Sequence, residues 1–227
     1  MMKIKVEVKG DADVKDLLKK FEKATGKSIE TGIKEMAMST ARALATKMQP
    51  YGVGGGGKAK KFQENIEKQI VQVFIGVNLG QYGETTNLES AHRSVRRRGR
   101  VKGERMTKEG GRRWKGIIDE DQKKRLIEDK QAKAGRAKAA WITAGNSLGV
   151  GKITRIGRWI DRHVGKGYGA SYVTGRNLRA KVELENRTPY LSYLQKERDI
   201  RAALKEGREK GILRLRIITK KVLGKYA

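Results

Sequence analysis

The residues best spaced for chemistry form a glycine run, Gly52-Val-Gly-Gly-Gly-Gly57-Lys58-Ala59. Its glycines and lysine stand where a phosphate-binding loop, G-x-x-x-x-G-K-[ST], wraps backbone N–H groups around a polyphosphate. Ala59, however, takes the place of the hydroxyl that holds magnesium, and a helical pattern ending at Gln49-Pro50-Tyr51 precedes the run where the motif needs a strand. The run therefore reads as a flexible hinge. Gly165-Lys-Gly-Tyr-Gly169 likewise lacks the strand-to-helix context of a dinucleotide fingerprint. The histidines are His92 and His163; neither has a second histidine at metal spacing, and Asp161 is one weak carboxylate partner. Ser90 lies two residues from His92 without a nucleophile elbow, which is no triad. Glu120, Asp121, Glu128 and Asp129 are dispersed among lysines as on a solvated helix. With no cysteine in the sequence, thiolate metal sites, disulfides and Cys nucleophiles are excluded. The expectation is no catalytic residue, no metal site and no cofactor, which leaves binding or assembly.

Charge points the same way. The 227 residues carry 53 Lys+Arg against 25 Asp+Glu, a formal charge of +28. Such an imbalance opposes compaction and favours polyanions or acidic protein surfaces as neighbours. It is densest between Ala91 and Ile118, where Arg93, Arg96, Arg97, Arg98, Arg100, Lys102, Arg105, Arg112 and Arg113 stand among five glycines with no apolar periodicity. This stretch reads as an extended basic arm that contacts a partner or DNA. Trp114 is its one aromatic, few for stacking bases. No apolar run approaches the roughly 20 residues of a membrane span, and the N-terminus lacks the apolar core of a signal peptide. The expected protein is soluble, makes no membrane contact, and is made in the cytoplasm.

The elements that must position these residues follow from periodicity. Ile4, Val6 and Val8 alternate with Lys3, Lys5, Glu7 and Lys9, as in a lysine-guarded edge strand. Asp13 then caps a long amphipathic helix reaching Met48, with breaks expected near Gly26 or Gly32. Ile70 to Val77 is the most apolar run and reads as a central strand. Asp119 to Lys130, Gly135 to Leu148 and Ile153 to Val164 read as helices, the second with a small-residue face. Leu178 to Asn186 alternates as a half-buried strand, Thr188 is placed to cap the next helix, and Pro189 suits its first position. The last helix runs from Pro189 towards Leu223, and Gly207 and Gly211 on its stripe invite another helix to approach closely. The predicted class is α+β: a small antiparallel sheet packed by long N-terminal and C-terminal helices, with a large basic, partly helical insertion. The core is expected from residues 1–78 and 150–227, the arm and insertion from 79–149.

This order of parts resembles the tail-completion or head-to-tail joining proteins of tailed bacteriophages. The resemblance rests on Ala41 to Tyr51, on Thr174-Gly175-Arg-Asn-Leu178-Arg179 and on Asn186-Arg-Thr-Pro189-Tyr190. The stretch from His92-Arg93 to Trp141 is similar to an insertion of some minor tail proteins. One departure is visible: the Thr-Gly turn here follows the insertion, whereas the family has it soon after the first helix. The resemblance implies a virion structural protein of the neck or upper tail. It would form a homo-oligomer ring without catalysis, assembled in the bacterial host cytoplasm. Its partners would be the connector or tail terminator and tail tube proteins, with possible nonspecific contact to genomic DNA. The rival reading is a nucleic-acid-binding module using the arginine-rich arm, which requires steeply salt-dependent binding.

Overall fold

The computed structural model describes residues 2–8, 11–54, 56–74, 120–189 and 191–224. The chain divides into two compact units, residues 1–56 with 135–227 and residues 57–134. The first division falls inside the glycine run, and the second places the helix after Gly135 in the first unit rather than with the expected insertion.

The first unit is α+β. Strand β1 (Met2–Glu7) leads to helix α1 (Ala12–Thr25) and helix α2 (Ile29–Lys47). The α1 cap is Asp11, whose side chain accepts from Val14 N–H at 3.2 Å. The expected cap, Asp13, lies in the first turn instead. The helix ends at Gly26 (φ 66), a left-handed position that costs glycine nothing. Ser28 then caps α2. Gly32 does not break α2: it gives room for Leu18 of α1, whose Cδ2 would lie 2.5 Å from any added Cβ. The small-residue helix expected after Gly135 is α5 (Arg136–Asn146), and Ala137, Ala140, Trp141, Ala144 and Leu148 are all buried.

Ile153 to Val164, expected as a helix, contributes only the single turn α6 (Arg158–Asp161). It is followed by strand β2 (Gly169–Thr174), a 3-10 turn (Asn177–Arg179) and strand β3 (Lys181–Asn186). The sheet is antiparallel with order β1-β3-β2. Its centre is thus β3, and the third strand is β2. The run from Ile70 was expected there, but residues up to Phe74 belong to helix α3 (Gly56–Phe74), and 75–77 lie outside the described residues. The β-branched content of that run is outweighed by the helical spacing of Ala59, Phe62 and Ile66 ahead of it. The inner face of the sheet, with Val182 and Leu184 fully buried, lies on α5. Gly169 makes the close approach possible, because a Cβ there would meet the Ala140 carbonyl at 1.8 Å.

The terminal helix is also corrected. A short α7 (Leu191–Leu194) and a long α8 (Glu197–Leu223) are separated at Gln195-Lys196. Gln195 is buried and tied down on both sides: its Oε1 accepts from Trp141 Nε1 at 3.2 Å, and its Nε2 donates to the Leu44 carbonyl at 3.2 Å. Helix α8 lies antiparallel on α2. Gly207 faces Thr40, where a Cβ would come within 2.6 Å of Cα, and Gly211 faces Met36 at 3.0 Å. The buried row Asp199, Ala203, Gly207, Gly211, Leu215 and Thr219 follows a four-residue spacing, the ridge along which helices pack most often.

One buried charge locks this core. Lys138 of α5 is 1 % exposed. Its Nζ donates to the carbonyls of Ala45 (2.7 Å), Met48 (2.5 Å) and Gly52 (3.0 Å). These include orphan acceptors at the C-terminus of α2, where a cation also meets the negative end of the helix dipole.

In the second unit, α3 and α4 (Glu120–Ala132) are joined by Gln131 Nε2 donating to the Gln63 carbonyl at 3.3 Å, and Ala59, Leu126 and Ala134 are buried. Gly56 and Gly57 begin α3, so the glycine run is only in part a loop.

Candidate assembly surface

The turn and cap residues singled out in the sequence lie at opposite ends of β3: Thr174, Gly175 and Leu178 at the β2–β3 turn beside Lys181, and Asn186 and Pro189 at the joint with the terminal helices. Thr174 ends β2. Gly175 (φ 76) turns the chain so tightly that a Cβ would meet the Arg179 carbonyl at 2.6 Å. Leu178 lies on the 3-10 turn, half-buried, and the strand starts only at Lys181. Asn186 is fully buried: its Nδ2 donates to the Ala137 carbonyl at 2.9 Å, and its Oδ1 accepts from Thr188 N–H at 3.0 Å. Asn186 therefore shapes the strand-to-helix joint, a role expected of Thr188. The Thr188 hydroxyl is buried without a hydrogen-bond partner among the described residues, and its carbonyl accepts from Leu191 N–H. Pro189 is in the turn before α7 rather than in the helix; Tyr190 lies outside the described residues.

The outer face of the sheet is polar. Across it Lys3 pairs with Glu183 at 2.9 Å and Lys181 with Glu7 at 3.5 Å. Glu185, 3 % exposed, receives Arg187 Nε at 2.9 Å, Arg187 Nη2 at 2.7 Å and the Tyr172 hydroxyl at 3.2 Å. These donors, Arg187 first, hold the Glu185 carboxyl below its ordinary range, and Glu185 in turn raises the Arg187 guanidinium. Two further carboxylates are depressed for the same kind of reason. Asp11 is held by Arg208 and by Val14 N–H. Glu206 is held first by Lys210 and also by Lys47, at 2.5 Å and 3.1 Å. The acids of this unit serve as ion-pair partners that bind α1, α2 and α8 to one another, as do Glu35 and Arg214 at 2.6 Å.

A different surface runs along the outside of α8. Leu213, Ile217 and Leu223 are 55–57 % exposed, and Arg216, Lys220 and Lys221 stand among them with no ion pair among the described residues. Apolar side chains four apart beside free cations form a surface suited to association. The sequence carried this signal, since Leu213 and Ile217 fall outside the buried row.

Arg93, Arg96, Arg97, Arg98, Arg100, Lys102, Arg105, Arg112 and Arg113 of the basic arm lie outside the described residues, as do Ser90, His92 and Trp114. His163 is buried, its Nε2 accepting from Arg162 Nε at 3.1 Å. Among the described residues no cluster of three or more His, Cys, Asp or Glu is arranged to hold a metal, and no helix is long and apolar enough to cross a membrane. Comparison with protein-family models, characterised proteins and solved structures finds no match for this chain.

Proposed function

We propose that this chain is a non-enzymatic structural protein of the head-to-tail interface or upper tail of a tailed bacteriophage, joining connector and tail through protein–protein contacts between several copies and their neighbours. Its place is the virion neck or tail, assembled in the bacterial host cytoplasm. The observation that carries this reading is the outer face of α8. Its exposed Leu213, Ile217 and Leu223 are set among unpaired cations, while the opposite face of the same helix is spent on α2. A helix used on one side for the core and left apolar and basic on the other supports a subunit completed by acidic neighbours. The likeness of the Thr174 to Arg179 and Asn186 to Tyr190 segments to joining proteins supplies the biological setting. In that setting the basic arm clamps an acidic neighbour.

The reading is tested by complementation. Particles made without this chain should have unjoined heads and tails, and Leu213→Asp with Ile217→Asp should leave the isolated protein folded yet fail to restore joining. Joined, sealed particles in its absence would reject the reading.

A further inference from the structure

The two edges of the sheet are not alike. β1 exposes Lys3, Lys5 and Glu7, charges that discourage an extra strand from pairing there. β2, Gly-Ala-Ser-Tyr-Val-Thr, carries no charge and no proline, and the neutral stretch extends from Gly167 to Gly175. In a chain with a formal charge of +28, such an edge is one at which a second copy can approach without like charges facing each other.

The register fixes which groups remain open. Arg187 N–H donates to the Tyr168 carbonyl at 2.8 Å, and the β2–β3 pairing continues from Gly169 opposite Asn186 to Thr174 opposite Lys181. In an antiparallel ladder hydrogen-bonded pairs alternate, so Ala170, Tyr172 and Thr174 bond to β3. Gly169, Ser171 and Val173 then direct their N–H and C=O groups outward. Among the described residues no hydrogen bond to these outward backbone groups is present. Placing a two-fold axis at Ser171 pairs Gly169 with Val173 of the second copy, Ser171 with its own counterpart, and Val173 with Gly169. All three outward residues become hydrogen-bonded at once. On the outer face the same register lays Tyr172, 44 % exposed, opposite the small Ala170.

We propose that β2 is a homodimerisation edge, at which two copies join antiparallel about Ser171 to make one continuous sheet. The contact is isologous and closes as a pair. It goes beyond the virion reading and does not depend on it, because a protein of any function with this edge would dimerise in solution. Lys166 and Arg176 flank the neutral stretch and fall opposite each other in this register, so like charges of the two copies meet at its ends and added salt should tighten the pair.

The natural chain has no cysteine, so single substitutions in the full chain report the register without background. In the proposed pair the two Ser171 Cα atoms are about 5.5 Å apart, within disulfide range. The two Val173 Cα atoms are about 14 Å apart and out of range. Under mild oxidation Ser171→Cys should give at least about tenfold more cross-linked dimer than Val173→Cys or Lys5→Cys. Sedimentation equilibrium of the unmodified chain should show a dimer that salt strengthens. Val173→Pro, which removes an outward N–H and no bond to β3, should keep its circular dichroism and become monomeric. A monomeric natural chain, equal cross-linking at Ser171 and Val173, preferential cross-linking at Lys5, or a Val173→Pro variant that stays folded and dimeric would overturn the proposal.

Discussion

At the scale of single residues, the core is held by a few polar groups with complete sets of partners. Lys138 is the clearest. Replacing it by methionine keeps the length of the side chain but leaves the carbonyls of Ala45, Met48 and Gly52 without their donor. A cost of about 2–4 kcal/mol in urea unfolding is expected, and a loss under about 0.5 kcal/mol would show that water replaces the ammonium. The depressed carboxyls make a second residue-level prediction. Asp11, Glu185 and Glu206 have folded pKa values below their unfolded ones. Their stabilisation is therefore fully present above the unfolded pKa of about 4 and is lost as pH falls through the lower folded values. The melting temperature should fall as pH drops below about 4, and Glu185→Gln should flatten that fall while lowering stability at neutral pH. An unchanged acid slope in Glu185→Gln would contradict the role given to Arg187 and Tyr172. Nothing in the sequence marked Lys138 as buried. A lysine immediately before the Ala-Ala-Trp of a helix looks like any solvated one until the C-terminus of α2 is set against it.

At the scale of elements, the packing of α8 on α2 decides stability. Alanine within a helix is intrinsically favoured over glycine by about 1 kcal/mol. At Gly207 that preference meets the Thr40 backbone at 2.6 Å, whereas at Gly211 the nearest backbone atom is at 3.0 Å. Gly207→Ala should therefore destabilise by about 1–3 kcal/mol and Gly211→Ala by less, measured as shifts in denaturation midpoint. Equal or stabilising effects would mean that the helices separate at no cost. These glycines were legible as a pair four apart, and the sequence pattern named the close approach before its partner was known. The edge strand, the break at Gly26, the helix from Gly135 and the alternation ending at Asn186 were legible for the same reason: each has a local period or a cap. The run from Ile70 was not, because β-branched residues favour strand while the helical phase begun at Ala59 continues through them. β2 was missed because Gly169 to Thr174 has small and polar residues on both faces, and only the α5 backbone against Gly169 reveals which side is buried. The break at Gln195 was equally hidden, since its cause is a contact with Trp141 and Leu44, distant in sequence.

At the scale of the whole molecule, charge and surface lead to the same account. A formal charge of +28 makes compaction and self-association costly except through neutral surface or acidic partners, and the first unit has both an uncharged sheet edge at β2 and an apolar, basic face on α8. The protein is proposed to act by assembling with protein. The most direct measurement is the mass of the full chain in solution, over a range of concentration and salt, with and without duplex DNA. Self-association that needs no DNA and persists or strengthens as salt is raised is expected. A chain that stays monomeric at every concentration and binds duplex DNA tightly, with release by salt, would contradict it and would establish the arginine-rich arm as a nucleic-acid-binding module.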